Sequence, residues 1–211
     1  MALGLKSENI LVSDQKGVLY EGRDNMDSFK AAFAKPTECR TLSDALQGAD
    51  IFLGLSVSGV ISGEMIASMA DNPIIFALAN PVPEIMPEEI LKVRSDAIIA
   101  TGRSDYPNQI NNVLCFPFLF RGALDVGASQ INMHIKIACV KALADLVLEE
   151  SSDIAMAAYV GESLVFNRNY IIPKPFDPRL LVRVAPAVVK AAMDSGVATR
   201  PRSEEHTSEL Q

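Results

Sequence analysis

The stretch NPIIFALANPVPEIMPEEILKVRSDAIIATG, Asn72–Gly102, decides the fold. Its first part, PIIFALANP, is an apolar run too short for a helix. Pro81 ends it, because proline has no N–H to give to a strand ladder. PEEILKV then reads as a short helix with Pro87 at its first position, where a missing N–H costs nothing. DAIIATG returns to a short apolar run bounded by an acid and a glycine. A strand, a helix and a second strand without polar alternation describe a parallel sheet covered on both faces.

The same alternation extends upstream. DIFLGLS (Asp50–Ser56) reads as another buried strand, followed by a glycine-bearing loop and the helical SGEMIASMA. TLSDALQG is helical by spacing, with Thr41 as its N-cap and Asp44 three residues on. DSFKAAFA is a further helix, and NILVSD (Asn9–Asp14) an apolar run that stops at an acid, the first of four expected strands. Downstream the pattern is helical only, over Asn111–Gly127, Gln130–Glu150, Ser152–Val160 and Pro178–Ser195. The expected division is 1–127 for the sheet domain, 128–201 for its helical completion and 202–211 for a disordered or non-native tail. The opening MALGLKSENI reads as the end of a helix stopped at Gly4, so the sheet is expected to be incomplete at the N-terminus.

Composition narrows the classes of function. The 211 residues are 49% hydrophobic and 21% charged, with a formal net charge of −7. That acidity argues against nucleic acid as a partner, since phosphates call for a basic face. No apolar run approaches the roughly 18 residues of a membrane span, and no basic-then-apolar leader opens the chain. Cys39, Cys115 and Cys139 have no metal spacing, and His134 and His206 are the only histidines. Those counts speak against a zinc site, and the cytoplasm is the default compartment.

A doubly wound sheet binds its ligand at the carboxyl ends of its strands. Those ends are Asp14, Ser56–Gly59, Asn80 and Gly102–Ser104. An acid in the place of Asp14 accepts hydrogen bonds from a ribose diol, or else caps a loop; the residues alone leave both open. GLSVSG, containing Ser56 and Val57, offers small residues where backbone approaches an adenosine. No glycine-rich G-x-G-x-x-G phosphate loop occurs. The segment YPNQINNVLCFPFLF sets Asn108, Gln109, Asn111 and Asn112 before an apolar helix. Neutral amides there can orient carboxylates and hydroxyls without adding charge, and a helix N-terminus favours an anion. They can equally serve as caps and turn residues.

Three of these segments, in order, resemble the NAD(P)-binding domain of malic enzymes: SDQKGVLYEGR (Ser13–Arg23), FALANP (Phe76–Pro81) and NQINN (Asn108–Asn112) before an FPF helix. IPKPFDPRLLVRVAPAVVKAAMDSGVATRP resembles the bacterial form in which a phosphotransacetylase-like domain follows. The resemblance implies an α/β, Rossmann-like doubly wound parallel sheet followed by a helical C-terminal segment. It implies oxidative decarboxylation of L-malate to pyruvate and CO2, with reduction of NADP+ or NAD+ and with Mg2+ or Mn2+. Cofactor contacts then fall to Asp14, Lys16, Ser56, Val57 and Asn80, and malate contacts to Asn80, Asn111 and Asn112. Asn108 and Gln109 read as loop-structural. Lys16, with Lys30 as a second cation, can offset Asp14 and meet a 2′-phosphate, which favours NADP+.

The family's catalytic tyrosine and lysine and its metal-binding acids have no matching positions here. Tyr20, Tyr106, Tyr159 and Tyr170 lie outside the tyrosine motif, so no catalytic residue and no metal ligand is assigned. Glu88–Glu89 and Glu149–Glu150 read as solvated helix faces, Arg103 and Arg121 as surface or ion-pair residues, and Cys115 as inert core. Two classes of function fit: the cofactor part of an oligomeric malic enzyme, inactive alone, or a non-catalytic dinucleotide-binding or assembly module. A third, another dehydrogenase of similar architecture, is disfavoured by NQINN.

Overall fold

A computed structural model describes residues 2–150, 156–157, 159 and 164–200. The chain divides into two compact units, Met1–Ile99 and Ala100–Gln211. In the first, β3 (Ile51–Gly54) and β4 (Ile74–Ala77) run parallel in the register Ile51↔Ile74 to Gly54↔Ala77. β5 (Ile98–Thr101) completes the sheet order β3-β4-β5. These strands and the helices between them are those expected from the sequence, and the class is α/β.

Local chemistry explains the helix starts. α2 (Leu42–Leu46) carries a full capping box, in which Thr41 accepts from the Asp44 N–H and the Asp44 carboxylate accepts from the Thr41 N–H. α3 (Gly63–Ala67) is capped by Ser62. α4 (Pro87–Val93) begins on Pro87, with Glu88 and Glu89 in its first turn and Lys92 in its last, charges that suit the helix dipole. Leu46, Phe52, Ile66, Met69, Ile75 and Ile90 form the buried core of this unit.

The expected first strand differs. Ser13–Asp14 (β1) is a two-residue strand that pairs antiparallel with Gly17–Val18 (β2) and stays out of the parallel sheet. The reason lies in the turn. Gly17 holds φ at +105°, and a side chain there would run into the Arg40 carbonyl, so the chain doubles back. Leu11, in the apolar run before it, is 40% exposed rather than sheathed by helices. The helix expected over Asp27–Ala34 is likewise shorter: α1 spans Ser28–Ala31, with the Asp27 side chain capping the Lys30 N–H.

The second unit is helical. α5 (Phe116–Asp125), α6 (Met133–Leu146) and α7 (Arg179–Asp194) pack with α7 against both others. Leu119, Ala123, Ile135, Leu146, Val184 and Val188 fill the core between them. The helix expected to start at Asn111 starts instead at Phe116, after a separate 3-10 turn, Asn112–Leu114. Most of the helix expected over Ser152–Val160 and the whole tail 202–211 lie outside the described residues. No helix among the described residues is long and apolar enough to cross a membrane.

Candidate functional site

In the first unit the turn of the β1–β2 hairpin presents a charged cluster. The Asp14 carboxylate takes the Lys30 ammonium on Oδ2 at 2.8 Å and the Arg23 guanidinium on Oδ1, and Oδ1 also accepts the Lys16 N–H at 2.9 Å. The Lys30 and Arg23 hydrogen bonds outweigh burial and hold the Asp14 carboxyl well below the ordinary carboxylate range. Arg23 also donates to the carbonyls of Gly17 and Val18, both at 3.0 Å, so it belongs to the hairpin itself. Asp14, Gln15, Lys16 and Lys30 line a cavity of about 320 Å³. The Lys16 side chain is exposed at its rim.

The arrangement suits an anion. Both carboxylate oxygens are already engaged, so Asp14 offers a ribose diol less than an open aspartate would. The cluster holds one acid against three basic side chains, with Lys16 uncommitted to a carboxylate among the described residues. Arg23 escaped the sequence reading. It closes SDQKGVLYEGR, but only the folded hairpin brings it nine residues back to Asp14.

Beyond β3 and β4 the strand-end loops carry Ser56, Val57 and Asn80, all exposed. The Ser56 N–H donates to Glu84 Oε1 at 2.8 Å. The Asn80–Pro81 bond is cis. The Asn80 side chain has no hydrogen-bond partner among the described residues. Glu84, fully buried behind these loops, was also missed. It stands as a lone acid among prolines and apolar residues, and that isolation was the available signal.

In the second unit the NQINN amides divide by role. Asn108 is buried and stands at φ +55°. Its Nδ2 donates to the Arg168 carbonyl at 2.7 Å and its Oδ1 accepts the Ile171 N–H at 2.9 Å, so it mimics a peptide group toward a distant hairpin. Gln109 bridges in parallel to Thr101. Asn111 is exposed and caps the 3-10 turn, its Oδ1 accepting the Val113 N–H at 3.0 Å. Its Nδ2 is left with two donors and no partner among the described residues. Asn112 is exposed within the turn. The amides therefore sit one short turn ahead of α5 rather than on its first N–H groups. Cys115 packs against the helical core, where the Cys139 thiol hydrogen bond lowers its pKa and the same contact raises that of Cys139.

Arg103 pairs with Asp105 and Arg121 with Asp125, the surface roles expected of them. A larger groove, about 540 Å³, runs between α6 and α7 over alanines edged by Lys141, Asp145, Arg183 and Lys190. Of the residues singled out from the sequence it touches Glu149, which pairs there with Arg183 at 2.9 Å, and none of the expected cofactor or malate contacts. Among the described residues no group of three His, Cys, Asp or Glu side chains is placed to hold a metal ion.

Comparison with known proteins gives a consistent set. The family described as malic enzyme, NAD binding domain, matches residues 5–158. The NADP-dependent malic enzyme of Haemophilus influenzae is 60% identical over 203 residues, 95% of this chain and 27% of that protein. The NAD-dependent malic enzyme of Rhizobium meliloti is 57% identical over 202 residues, 95% of this chain and 26% of that protein. The chain thus spans about a quarter of the length of these curated relatives. Among solved structures, malic enzyme from Pyrococcus horikoshii superposes with a TM-score of 0.74 at 39% identity, covering 92% of this chain and 43% of that one. The Entamoeba histolytica malic enzyme gives 0.77 at 33% identity, covering 95% and 42%.

Proposed function

Because the chain belongs to the malic enzyme family through its NAD-binding domain, we propose that it is the cofactor-binding part of an enzyme that oxidatively decarboxylates L-malate to pyruvate and CO2. The observation that carries this reading is the family match across residues 5–158. The identities do not choose the cofactor, since relatives named for NADP and for NAD stand at 60% and 57%. The Asp14 cluster is what supports one of them. Its carboxylate is neutralised by Lys30 and Arg23, and Lys16 remains available, so the cluster favours a 2′-phosphate and hence NADP+.

When bound, the nicotinamide supplies the hydride acceptor for malate oxidation. The chain's own residues hold and orient. Lys16 and Asp14 meet the adenosine ribose end, Ser56 and Val57 approach the cofactor from the loop after β3, and Asn80 follows β4 with an uncommitted amide. Asn111 offers its two Nδ2 donors to a malate carboxylate, with Asn112 beside it. Each is a neutral donor that fixes an anion without a formal charge to perturb proton transfer. Mg2+ or Mn2+ and its ligands, with the acid and base, come from parts of the enzyme outside this chain. A cytoplasmic homo-oligomer is the expected setting.

The test is Asn111→Ala in the complete enzyme. Losing a hydrogen bond to a charged ligand costs about 1.5–3 kcal/mol, so kcat/KM for malate should fall by about tenfold or more. The Kd for NADP+ should hold. Unchanged malate kinetics would remove Asn111 from the substrate site, and absence of malate-dependent NADP+ reduction in the parent would remove the activity.

A further inference from the structure

Glu84 is 0% exposed, and among the described residues no cation pairs with it. A buried carboxylate is costly unless its oxygens are hydrogen-bonded. Here Oε1 accepts the Ser56 main-chain N–H at 2.8 Å and the Ser56 hydroxyl at 3.4 Å, while Oε2 accepts the Ala79 N–H at 3.0 Å. The Glu84 carbonyl takes a fourth loop donor, the Gly59 N–H, at 3.0 Å. Ser56 and Gly59 follow β3; Ala79 follows β4 and precedes Asn80. The last ladder bond between the two strands is Leu78 N–H to the Gly54 carbonyl at 3.2 Å. Past that point the strands part, and the Glu84 carboxylate fills the gap, one oxygen to each.

Gly54 makes room for it. A Cβ on Gly54 would lie 2.5 Å from the Glu84 carboxyl carbon and 2.6 Å from Oε1. The strand end and the acid are thus fitted to each other by a missing side chain. We propose that Glu84 is a positioning residue, a buried carboxylate that locks the loops after β3 and β4 into one unit and so sets where Ser56, Val57 and Asn80 meet the nicotinamide cofactor. This rests on the cofactor-binding reading above. The chemistry requires an acceptor at both ends. A glutamine of the same size has one acceptor oxygen and an NH2 that must face a second N–H donor, so it can hold one loop and repels the other.

The experiment is run on the complete enzyme, as parent, Glu84→Gln and Gly54→Ala, with amide hydrogen exchange and NADPH binding by cofactor fluorescence. In Glu84→Gln, exchange at the Ser56 or the Ala79 amide should accelerate by about tenfold or more, and the Kd for NADPH should rise by about fivefold or more. The Asn72 amide, held by Asp96 at 2.7 Å away from these loops, should exchange as in the parent. Gly54→Ala, which keeps the carboxylate but sets a methyl 2.5 Å from its carbon and 2.7 Å from the Phe52 ring, should give the same pattern at Ser56 and Ala79. Parental exchange at Ser56 and Ala79 would overturn the proposal. So would faster exchange with an unchanged NADPH Kd, which is what a purely structural brace predicts. A parent that binds NADPH but does not turn over malate would sink the malate reading alone, because neither measurement uses malate. A parent that binds no NADPH would overturn both.

Discussion

Gly122 on α5 faces the main-chain carbonyl of Ala185 on α7 so closely that a Cβ would lie 2.5 Å from that oxygen and 2.8 Å from the Val188 Cβ. A backbone oxygen cannot rotate away as a side chain would. Gly122→Ala is therefore expected to force the helices apart and destabilise the unit by about 1–3 kcal/mol, the usual cost of overpacking. The gain in helix propensity, under about 1 kcal/mol, offsets only part of it. Urea denaturation of parent and variant checks this, and a midpoint equal to or above the parent's would show that the helices can yield.

What the sequence disclosed, and what it hid, follows from the range of the interactions. Thr41 with Asp44, Ser62 and Pro87 announce their helices because the partners lie within one turn. β3, β4 and β5 announce themselves as continuous apolar runs. The Asp14 hairpin was hidden because its turn is decided by the Arg40 carbonyl, far along the chain from Gly17. Arg23 and Glu84 were hidden because each acts on groups that only folding brings near: Asp14 across the hairpin, and Ser56 from 28 residues away. Asn108 reads as loop-structural and is so, but its partners, 60 and 63 residues downstream, were not legible. Amide side chains at a loop give the same letters whether they serve a ligand or a second loop.

Acid stability follows from the same cluster. The carboxyl of Asp14 is depressed first by Lys30 and then by Arg23. A depressed folded pKa means that the unfolded chain binds the proton more readily. The contribution is then fully present above the unfolded value, about 4, and is lost as pH falls through it toward the folded value. Asp14→Asn should therefore be less stable than the parent near pH 7, with the gap closing below about pH 4. Thermal melts across that range measure it. A gap independent of pH would show that the ion pairs contribute nothing to folding.

Lys16 is the cation of the cluster left over once Lys30 and Arg23 have met Asp14. Lys16→Ala in the complete enzyme should raise the KM for NADP+ by about tenfold, the worth of one charged hydrogen bond, and leave that for NAD+ within about twofold. Lys30→Ala should differ, because it frees an Asp14 oxygen and so improves the relative use of NAD+. Equal losses with both cofactors in Lys16→Ala would refute it as the reader of the 2′-phosphate.

The 211-residue chain by itself is expected to bind cofactor weakly and to turn over no malate. Among the described residues no group of three His, Cys, Asp or Glu side chains is placed to hold a metal, and the catalytic tyrosine and lysine that the family resemblance implies are expected at no position of this chain. A metal to polarise the hydroxyl and a base to take its proton are both needed for the reaction. The same chain should also associate with itself. β3 is an edge of the described sheet, and Ile51, Leu53 and Leu55 stand 57%, 57% and 74% exposed along one side of it. An apolar, unpaired edge is a template for another chain. Light scattering should show mass rising with concentration, and Leu53→Lys should suppress the rise by placing a charge on that face. Malate-dependent reduction of NADP+ by the purified chain, lost on chelation, would show that the machinery is complete within these residues. A monomer at every concentration would show that the β3 face is harmless as it stands.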